Sequence, residues 1–337
     1  MDTHRLRKIV QQFAGKKIMV LGDFVADEYI LGKTSRISRE APVLILQYLS
    51  RQIVLGGAGN AANNLAALGA TVVPVGVVGD DEIGREVTRH LKQREIDTAL
   101  LCVQGGRVTT TKTRIMAGGQ HQHTSQQQVV RIDRGEFDRV SEQSEAVFLR
   151  ALEEEAPRVD GLVISDYQYG VLSPRVIEKV NQIAKRDSSI ITVDSRYRML
   201  SFRGVTAVTP NEPEVEEALG IRLDDEEAAV RAAGKQILDR VQSRAVLITR
   251  GSKGMALIER NGKAEFIPIH GTDEIADVTG AGDTVIVIFT LALASGATLL
   301  EAAQLANVGG GVVVMKRGTA TVSREELEAA LPKPQGV

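Results

Sequence analysis

The chain has 337 residues, of which 43% are hydrophobic and only 4% aromatic, with no tryptophan. This is sufficient for a large core built from Val, Ile, Leu and Ala. The net charge of -2 gives no electrostatic reason to expect nucleic acid or an anionic membrane as a partner. A single cysteine, Cys102, excludes an internal disulfide framework and fits a reducing compartment.

The N-terminal segment does not have the pattern of a targeting sequence. Residues 1–17 are charged and contain no apolar segment of the kind found in signal peptides. The longest apolar run, residues 284–294, is too short to span a bilayer. We therefore expect a soluble, cytoplasmic protein that has no membrane partner.

Short β-branched segments alternate with longer helical patterns, which predicts a mostly parallel sheet covered by helices. Strand patterns occur at 17–23, 71–80, 161–167, 190–196, 207–212 and 245–251, and helix patterns at 56–70 and 81–96. Each strand pattern ends near a polar residue: Asp23, Asp80, Asp166, Asp194, Asn211 or Arg250. Open parallel sheets bind ligands beyond the carboxyl ends of their strands, so we expect a site along this edge.

Two segments depart from this alternation. Residues 29–53 and 107–133 alternate polar and apolar positions without a helical period, which predicts a separate small sheet. We interpret it as a lid over the polar edge, because group transfer commonly requires exclusion of water. Exposed edge strands often pair between subunits, so a homodimer through the lid is expected. Because no long linker interrupts residues 1–337, we predict one domain.

The stretch DVTGAGDTV at 277–285 places Asp283 at the end of a glycine turn. The residues TVIVIF that follow favour a strand by propensity, but the turn and the later ALASG favour a helix, which we predict. A helix starting here presents unpaired N–H groups to an anion. Asp283 either caps this helix or serves chemistry beside the anion, and the nine residues alone leave both open.

Three stretches together resemble the ribokinase-like PfkB carbohydrate kinases in their order and spacing: GGAGNAANNLAALGA at 56–70, TPNEPEVE at 209–216 and DVTGAGDTV at 277–285. The resemblance covers essentially the whole chain. It implies a three-layer α/β fold with a mostly parallel central sheet, flanking helices and a small β-sheet lid. It also implies transfer of the γ-phosphoryl group of ATP to a sugar hydroxyl, which depends mainly on positioning and electrostatic stabilisation.

The resemblance assigns the chemistry to the glycine turn. The N–H groups of Gly280, Ala281, Gly282 and Asp283 are implied to form an anion hole for the transferred phosphoryl group. Asp283 is implied to be the general base that accepts the proton of the acceptor hydroxyl. A monovalent cation beside the anion hole is neither required nor excluded by the sequence.

Further family motifs imply the ligands of Mg²⁺ and of the nucleotide. Asn211 and Glu214 match the residues that hold Mg²⁺ through water, although PNEPE also fits a simple helix start with favourably placed acidic residues. The nucleotide-binding residues correspond to Asn211, Thr249, Arg250, Gly251, Gly254 and Asn307. The glycines at 309–311 either let the adenine lie close or allow close packing of helices.

The resemblance also implies which residues bind the hydroxyl groups of the acceptor sugar. The matching residues are Asp23, Asp27, Gly56, Gly57 and Asn60. Polar contacts of this kind are selective, because a missing sugar hydroxyl leaves buried polar groups unpaired. For Asp27, solvation of a turn is the alternative.

Several stretches resemble the subfamily that phosphorylates D-glycero-D-manno-heptose 7-phosphate at its anomeric hydroxyl, a step towards the ADP-heptose of lipopolysaccharide. They are GDFVADEYILG at 22–32, TSRISREAPV at 34–43 and VVVMKRGTATVS at 312–323. In many bacteria this kinase is fused to a nucleotidyltransferase domain, which we do not expect here because the chain ends soon after SREELEAAL. The alternative acceptors are those of other PfkB kinases: ribose, fructose or a fructose phosphate.

A sugar phosphate requires a cationic contact. Lys112 and Arg114 lie two residues apart, hence on one face of a predicted lid strand, and Arg131 with Asp133 shows the same spacing. We take Lys112, Arg114 and Arg131 as the candidates for contact with the substrate phosphate, and Arg36 as a further candidate. Basic residues on strand edges also serve to prevent aggregation, which is the alternative.

The sequence disfavours a histidine metal site and two other protein classes. His121 and His123 lie in a Gly- and Gln-rich stretch without a carboxylate or cysteine at ligand spacing, which favours a hairpin tip over a metal site. A non-catalytic sugar- or nucleotide-binding protein of the same fold is disfavoured because Asp283 and its glycine turn are intact. A dinucleotide-binding dehydrogenase is disfavoured because GDFVAD, rather than G-x-G-x-x-G, follows the first strand.

Overall fold

A computed structural model describes residues 2–118, 127–135, 140–186, 189–224, 226–271, 277–316 and 318–332. The strands are β1 (Lys17–Gly22), β2 (Phe24–Ile37), β3 (Leu44–Gly57), β4 (Thr71–Gly79), β5 (Leu101–Gln104), β6 (Thr111–Gly118), β7 (Gln127–Arg134), β8 (Gly161–Asp166), β9 (Ile191–Ser195), β10 (Ala207–Val208), β11 (Ala245–Thr249), β12 (Met255–Glu259) and β13 (Ala264–Ile267). The helices are α1 (Thr3–Gln11), α2 (Ala58–Ala67), α3 (Glu82–Gln93), α4 (Glu142–Glu154), α5 (Pro174–Arg186), α6 (Glu212–Leu219), α7 (Glu227–Val241), α8 (Ala281–Ala294), α9 (Leu299–Val314) and α10 (Arg324–Ala330). The hairpin tip predicted around His121 and His123 lies outside the described residues.

Nine strands of the described chain form one sheet in the order β13-β12-β11-β10-β9-β8-β1-β4-β5. All neighbours from β11 to β5 in this order run parallel. Only β12 and β13, at one edge, are antiparallel to their neighbours. The mostly parallel sheet predicted from the alternating pattern is confirmed.

Hydrophobic cores cover both faces of this sheet. Along β1 the side chains alternate between them, so that Ile18 and Val20 face one core and Met19 and Leu21 the other. The first core contains buried residues of α1, α2, α8 and α9, and the second those of α4, α5 and α7. This is the predicted three-layer α/β arrangement. Every helix in the described ranges is too short or too polar to cross a membrane.

The apolar run after the glycine turn is helix α8, as predicted against its strand propensity. Residues 283–292 are all buried, so the β-branched side chains pack on every side of the helix. Such all-round burial gives this helix its stability, and it overrides the local preference for a strand.

The lid predicted from residues 29–53 and 107–133 is a four-stranded sheet in the order β3-β2-β6-β7. β2 pairs antiparallel with β3 and parallel with β6, and β7 is antiparallel to β6. β2 begins at Phe24 and β3 ends at Gly57, nearer to the central sheet than predicted. The first lid strand therefore follows β1 of the central sheet after a single residue.

Candidate active site

The candidate site lies at the carboxyl ends of β8, β9 and β11. This is the edge at which open parallel sheets bind ligands. Asp166, Asp194 and Asn211, three of the predicted strand-end residues, line one cavity of about 250 Å³ here. Asp80 does not belong to it, because its side chain is 65% exposed and pairs with Arg85.

The glycine turn forms one wall of this cavity. Gly280 has a φ of 78° in the left-handed region, and a Cβ there would lie 2.5 Å from a side-chain nitrogen of α2. The N–H of Ala281 donates to the carbonyl of Val278 at 3.2 Å. The N–H groups of Gly282 and Asp283 donate to no acceptor within the described ranges. These two groups, at the start of α8, are therefore available to an anion.

Asp283 is a buried carboxylate held from two sides. Its Oδ2 accepts a hydrogen bond from Asn60 Nδ2 at 2.9 Å, and its Oδ1 accepts one from the Tyr167 hydroxyl at 3.0 Å. Burial raises the pKa of Asp283 to about 6, and the two hydrogen bonds oppose that rise. The interpretation of Asp283 as the helix cap is wrong, because Gly280 occupies the N-cap position.

Asn211 and Glu214 have a structural role and also face the cavity. Asn211 Oδ1 accepts a hydrogen bond from the backbone N–H of Glu214 at 2.9 Å, and Glu214 Oε2 accepts one from that of Asn211 at 2.9 Å. This reciprocal cap begins α6, as the helix-start interpretation of PNEPE expects. Both residues line the same cavity as Asp283, and burial raises the pKa of Glu214.

Asp194, at the end of β9, adds a carboxylate that sequence reasoning placed on the edge but gave no role. Burial, followed by the charges of Glu214 and Asp283, raises the pKa of Asp194 well above its usual range. A Cβ on Gly282 would lie 3.5 Å from Asp194 Oδ2, so this carboxylate is close to the anion-binding turn. Repelling carboxylates beside an anion site fit a cation between them, and oxygen ligands suit Mg²⁺.

A magnesium ion at this position would depend on other ligands as well. Among the described residues, no group of three His, Cys, Asp or Glu side chains has the arrangement to hold a metal ion. Mg²⁺ usually binds through one or two carboxylates together with water and substrate phosphate oxygens. The donor set of the cavity therefore fits Mg²⁺ bound together with phosphate.

Most of the predicted nucleotide residues line a second cavity on the other side of the glycine turn. Thr249, Gly251, Gly254 and Asn307 surround about 170 Å³ of mainly apolar space, and Thr249 and Gly282 line both cavities. An apolar cavity that opens beside an anion-binding turn suits a base joined to phosphates. The arrangement brings the predicted nucleotide and catalytic residues together.

The remaining predicted nucleotide features have structural contacts. Arg250 is buried, and its Nε donates to a carboxylate oxygen of Glu212 at 2.9 Å. A Cβ on Gly309 would lie 2.0 Å from Ile288 Cδ1, so this glycine is needed for packing of α8 against α9. Gly310 and Gly311 line the second cavity, which is compatible with the interpretation that they let an adenine lie close.

Asp23, predicted to contact the sugar, binds backbone groups of the loop that follows β8. Its Oδ2 accepts hydrogen bonds from the N–H groups of Tyr167 and Tyr169 at 2.8 and 3.1 Å, and its Oδ1 accepts one from Val171 at 3.3 Å. Burial, assisted by the charge of Asp166, raises the pKa of Asp23 to about 6. Asp23 therefore fixes the path of this loop.

Asp27 connects the lid to the C-terminal part of the chain. Its Oδ1 accepts a hydrogen bond from Arg114 Nη1 at 2.6 Å, and its Oδ2 accepts one from the Thr319 hydroxyl at 3.1 Å. A Cβ on Gly56 would lie 2.4 Å from Asp27 Oδ2, and Gly57 has a φ of 54°. Gly56 therefore allows β3 to pass close to the Asp27 carboxylate, and Gly57 allows it to pass close to the backbone carbonyl of Asp23.

The three predicted phosphate-binding cations have different environments. Arg114 forms an ion pair with the Asp27 carboxylate. Arg131 makes two hydrogen bonds to Asp133 on its own strand, at 2.8 and 3.0 Å, and is 47% exposed. Lys112 lies 4.7 Å from the centre of the Tyr167 ring, and burial lowers its pKa. Within the described residues, no carboxylate pairs with the Lys112 ammonium.

Five residues of the first cavity were not predicted as site residues: Asp166, Tyr167, Asp194, Arg196 and Thr209. Each lies at the end of β8, β9 or β10 or within one residue of it. The placement of ligands beyond strand ends therefore contained the signal for all five.

A profile of the pfkB family of carbohydrate kinases matches residues 16–326. The chain belongs to the PfkB family of carbohydrate kinases. Members of this family use ATP as the phosphoryl donor. The family predicted from the sequence motifs is therefore confirmed.

Curated relatives of this PfkB kinase share about two fifths of its sequence. The bifunctional protein HldE of Trichlorobacter lovleyi is 40% identical over 332 residues, covering 98% of this chain and 66% of that protein. HldE of Paramagnetospirillum magneticum is 41% identical over 324 residues, covering 96% of this chain and 64% of that protein. The chain therefore spans slightly less than two thirds of the length of these relatives.

Solved structures show the same fold at low sequence identity. The PfkB kinase superposes on Arabidopsis thaliana ribokinase complexed with ribose and ATP with a TM-score of 0.73 at 17% identity, covering 94% of this chain and 99% of that one. Escherichia coli phosphofructokinase-2 with fructose-6-phosphate gives a TM-score of 0.71 at 17% identity, with coverages of 94% and 99%. These likenesses establish the ribokinase-like fold.

Proposed function

We propose that this PfkB kinase transfers the γ-phosphoryl group of ATP to the anomeric hydroxyl of D-glycero-D-manno-heptose 7-phosphate. The products are heptose 1,7-bisphosphate and ADP. The observation that carries the phosphoryl transfer is the position of Asp283, a buried carboxylate at the start of α8 that lines the first cavity and directly follows Gly282, which lines both cavities. A general base at this position lies next to the phosphate that the acceptor hydroxyl attacks.

The choice of a heptose phosphate rests on sequence similarity. The segments at 22–32, 34–43 and 312–323 resemble the heptose 7-phosphate kinases rather than the family in general. Relatives that are about 40% identical are bifunctional HldE proteins, and in many bacteria the heptose kinase is joined to a second enzyme. Both observations favour this acceptor over ribose, fructose or a fructose phosphate.

The reaction follows from the contacts of Asp283. The acceptor hydroxyl gives its proton to the carboxylate while its oxygen forms a bond to the γ-phosphorus. The bond between that phosphorus and the β,γ-bridging oxygen breaks, and ADP leaves. The N–H groups of Gly282 and Asp283 stabilise the charge on the transferred group. Since the pKa of Asp283 is about 6, the carboxylate is ionised and able to accept a proton at neutral pH.

Asn211, Glu214 and Asp194 would hold Mg²⁺, partly through water. When bound, the ion supplies positive charge to the phosphate oxygens. Lys112 would supply a further positive charge to the phosphate that the sugar already carries. It is the predicted cation that no described carboxylate pairs with, and it lies on the lid strand β6 beside Tyr167.

A panel of acceptors tests this proposal. ADP release is measured with ATP and Mg²⁺, with and without K⁺, for heptose 7-phosphate, ribose, fructose and fructose 6-phosphate. We expect kcat/KM for heptose 7-phosphate to exceed the others by at least about 10²-fold. Preferred turnover of another sugar would contradict the heptose assignment and leave the mechanism intact, whereas no turnover of any acceptor would contradict both.

We also propose that the protein forms a homodimer through the lid. The lid sheet exposes several large apolar side chains: Ile37, Val43, Leu44, Tyr48, Leu49, Val129, Val130 and Ile132. An apolar surface of this kind favours association, and β3 and β7 are edge strands that a second copy can pair with. Light scattering should give twice the chain mass, and Tyr48→Glu should give the monomer. A monomeric wild-type protein would refute the proposal.

A further inference from the structure

We propose that Tyr167 is a positioning residue for the base Asp283, and that Asp23 holds Tyr167 in place through the backbone of its loop. The inference rests on the proposed role of Asp283 as base. It assigns a role to a tyrosine that was not predicted as a site residue, and a role other than sugar binding to Asp23.

The Tyr167 hydroxyl completes the hydrogen bonding of Asp283. It donates to Oδ1 at 3.0 Å, while Asn60 Nδ2 donates to Oδ2 at 2.9 Å. With one donor on each oxygen, the carboxylate plane is fixed and each oxygen retains a second lone pair for the acceptor hydroxyl. A general base must be about 2.6–3.2 Å from the oxygen that it deprotonates, so a fixed plane favours the reactive geometry.

Asp23 fixes the position of the backbone that carries the Tyr167 side chain. The N–H groups of Tyr167, Tyr169 and Val171 all donate to its carboxylate, at distances of 2.8 to 3.3 Å. Three backbone donors converging on one buried carboxylate fix a short segment firmly, because charge-assisted hydrogen bonds are the strong ones. The connection from Asp23 to Asp283 therefore runs through the backbone and ring of Tyr167.

The charges around Asp283 come from several elements. Lys112 of β6 and Asp27 of β2 act on it from the lid, and Asp194 of β9 acts from the central sheet. Lys112 lies over the Tyr167 ring at 4.7 Å from its centre. Loss of the tyrosine hydroxyl removes one donor and leaves these charges in place.

The test replaces Tyr167 by phenylalanine, which removes only the hydroxyl. Carboxyl ¹³C NMR titration, with the Asp283 signal identified by its loss in Asp283→Asn, should show the carboxyl pKa rising by about one pH unit. The acidic limb of kcat should move up equally, which lowers kcat at pH 6 by about fivefold while KM for ATP is unchanged. Tyr169→Phe, the same change on the same loop, should leave the NMR titration and the limb where they are.

A double variant tests the role of Asp23. Asp23→Asn keeps only one acceptor oxygen, so it should move the titration in the same direction as Tyr167→Phe. If Asp23 acts through Tyr167, the double variant shifts no further than Tyr167→Phe alone. Additive shifts would overturn the role of Asp23, and an unchanged titration in Tyr167→Phe would overturn the positioning role itself.

The NMR measurement keeps this inference separate from the proposed function. It needs no acceptor and no ATP, and it needs no Asp23 variant, which matters if that protein does not fold. A shifted titration in an enzyme that phosphorylates none of the sugars would refute the function and support the contact. A heptose kinase whose Tyr167→Phe titration is unchanged would support the function and refute the positioning role.

Discussion

Replacing Asp283, the proposed general base, by asparagine should lower phosphoryl transfer by at least about 10²-fold and yet make the protein more stable at neutral pH. Burial raises the pKa of Asp283 from 3.8 to about 6, so the folded protein binds this proton more tightly than the unfolded chain does. Ionisation of Asp283 therefore costs no stability well below pH 3.8. The loss grows as the pH rises towards 6 and is complete above it.

The size of this loss follows from the two pKa values. A difference of about 2 between the folded and unfolded states corresponds to about 3 kcal/mol, which is an upper bound for the gain in Asp283→Asn. At pH 5 the carboxyl is largely protonated in the folded state, and the gain should be about half as large. The asparagine retains its partners, because its oxygen accepts from Asn60 and its amide donates to the Tyr167 oxygen.

Urea unfolding at pH 8 and pH 5 measures this difference. The matched control is Asp80→Asn, which removes a carboxyl that is 65% exposed and should change the free energy of unfolding by less than about 0.5 kcal/mol. Activity of Asp283→Asn should fall by at least about 10²-fold, with ATP binding retained. A variant that is no more stable than wild type at pH 8, or equally stabilised at both pH values, would refute the reasoning.

Three further predictions concern the same site. For the wild-type enzyme, kcat/KM should fall about tenfold per pH unit below about 6, and an acidic limb near pH 4 would contradict the buried base. Glu214→Gln should raise the Mg²⁺ concentration for half-maximal activity about tenfold at unchanged circular dichroism, and an unchanged Mg²⁺ dependence would argue against a metal role. Gly311→Ala should lose about 1–3 kcal/mol in urea unfolding, because its Cβ would lie 2.2 Å from the His270 carbonyl oxygen. Gly310→Ala, whose Cβ would lie 3.3 Å from a methyl of Val285, should lose less than about 1 kcal/mol, and equal losses would contradict the comparison.

The alternating strand and helix patterns were enough to predict the sheet, because a buried parallel strand requires an apolar run that ends at a polar edge. Helix α8 was also predicted, although its propensity pointed to a strand. The prediction rested on the glycine-rich turn at 280–282 and on ALASG at 292–296 as the end of a helix. In the structure Gly280 has a positive φ and helix α8 follows it. Local propensity failed because tertiary burial stabilises this helix on all sides.

The position of the site could be predicted, but the partners within it could not. Residues at strand ends are visible in the sequence, and Asp166, Asp194 and Asn211 do share one cavity. Which carboxylate faces a ligand and which binds backbone depends on loop paths that no pattern specifies. Asp23 is the example: a strand-end aspartate in the sequence, and in the structure an acceptor of three backbone hydrogen bonds.

The lid cations show why side-chain partners limit such predictions. Lys112 and Arg114 occupy the same face of β6, so periodicity treats them alike. The parallel register of β6 with β2 sets Asp27 opposite Lys112, yet it is the longer Arg114 side chain that reaches the Asp27 carboxylate, at 2.6 Å. Because Arg114 binds Asp27 and is largely buried, Lys112 has no carboxylate partner among the described residues. Its ammonium lies over the ring of Tyr167. Strand pairing, which joins segments far apart in the chain, therefore brings Asp27 near both cations, and the reach of the side chains decides which of the two pairs with it.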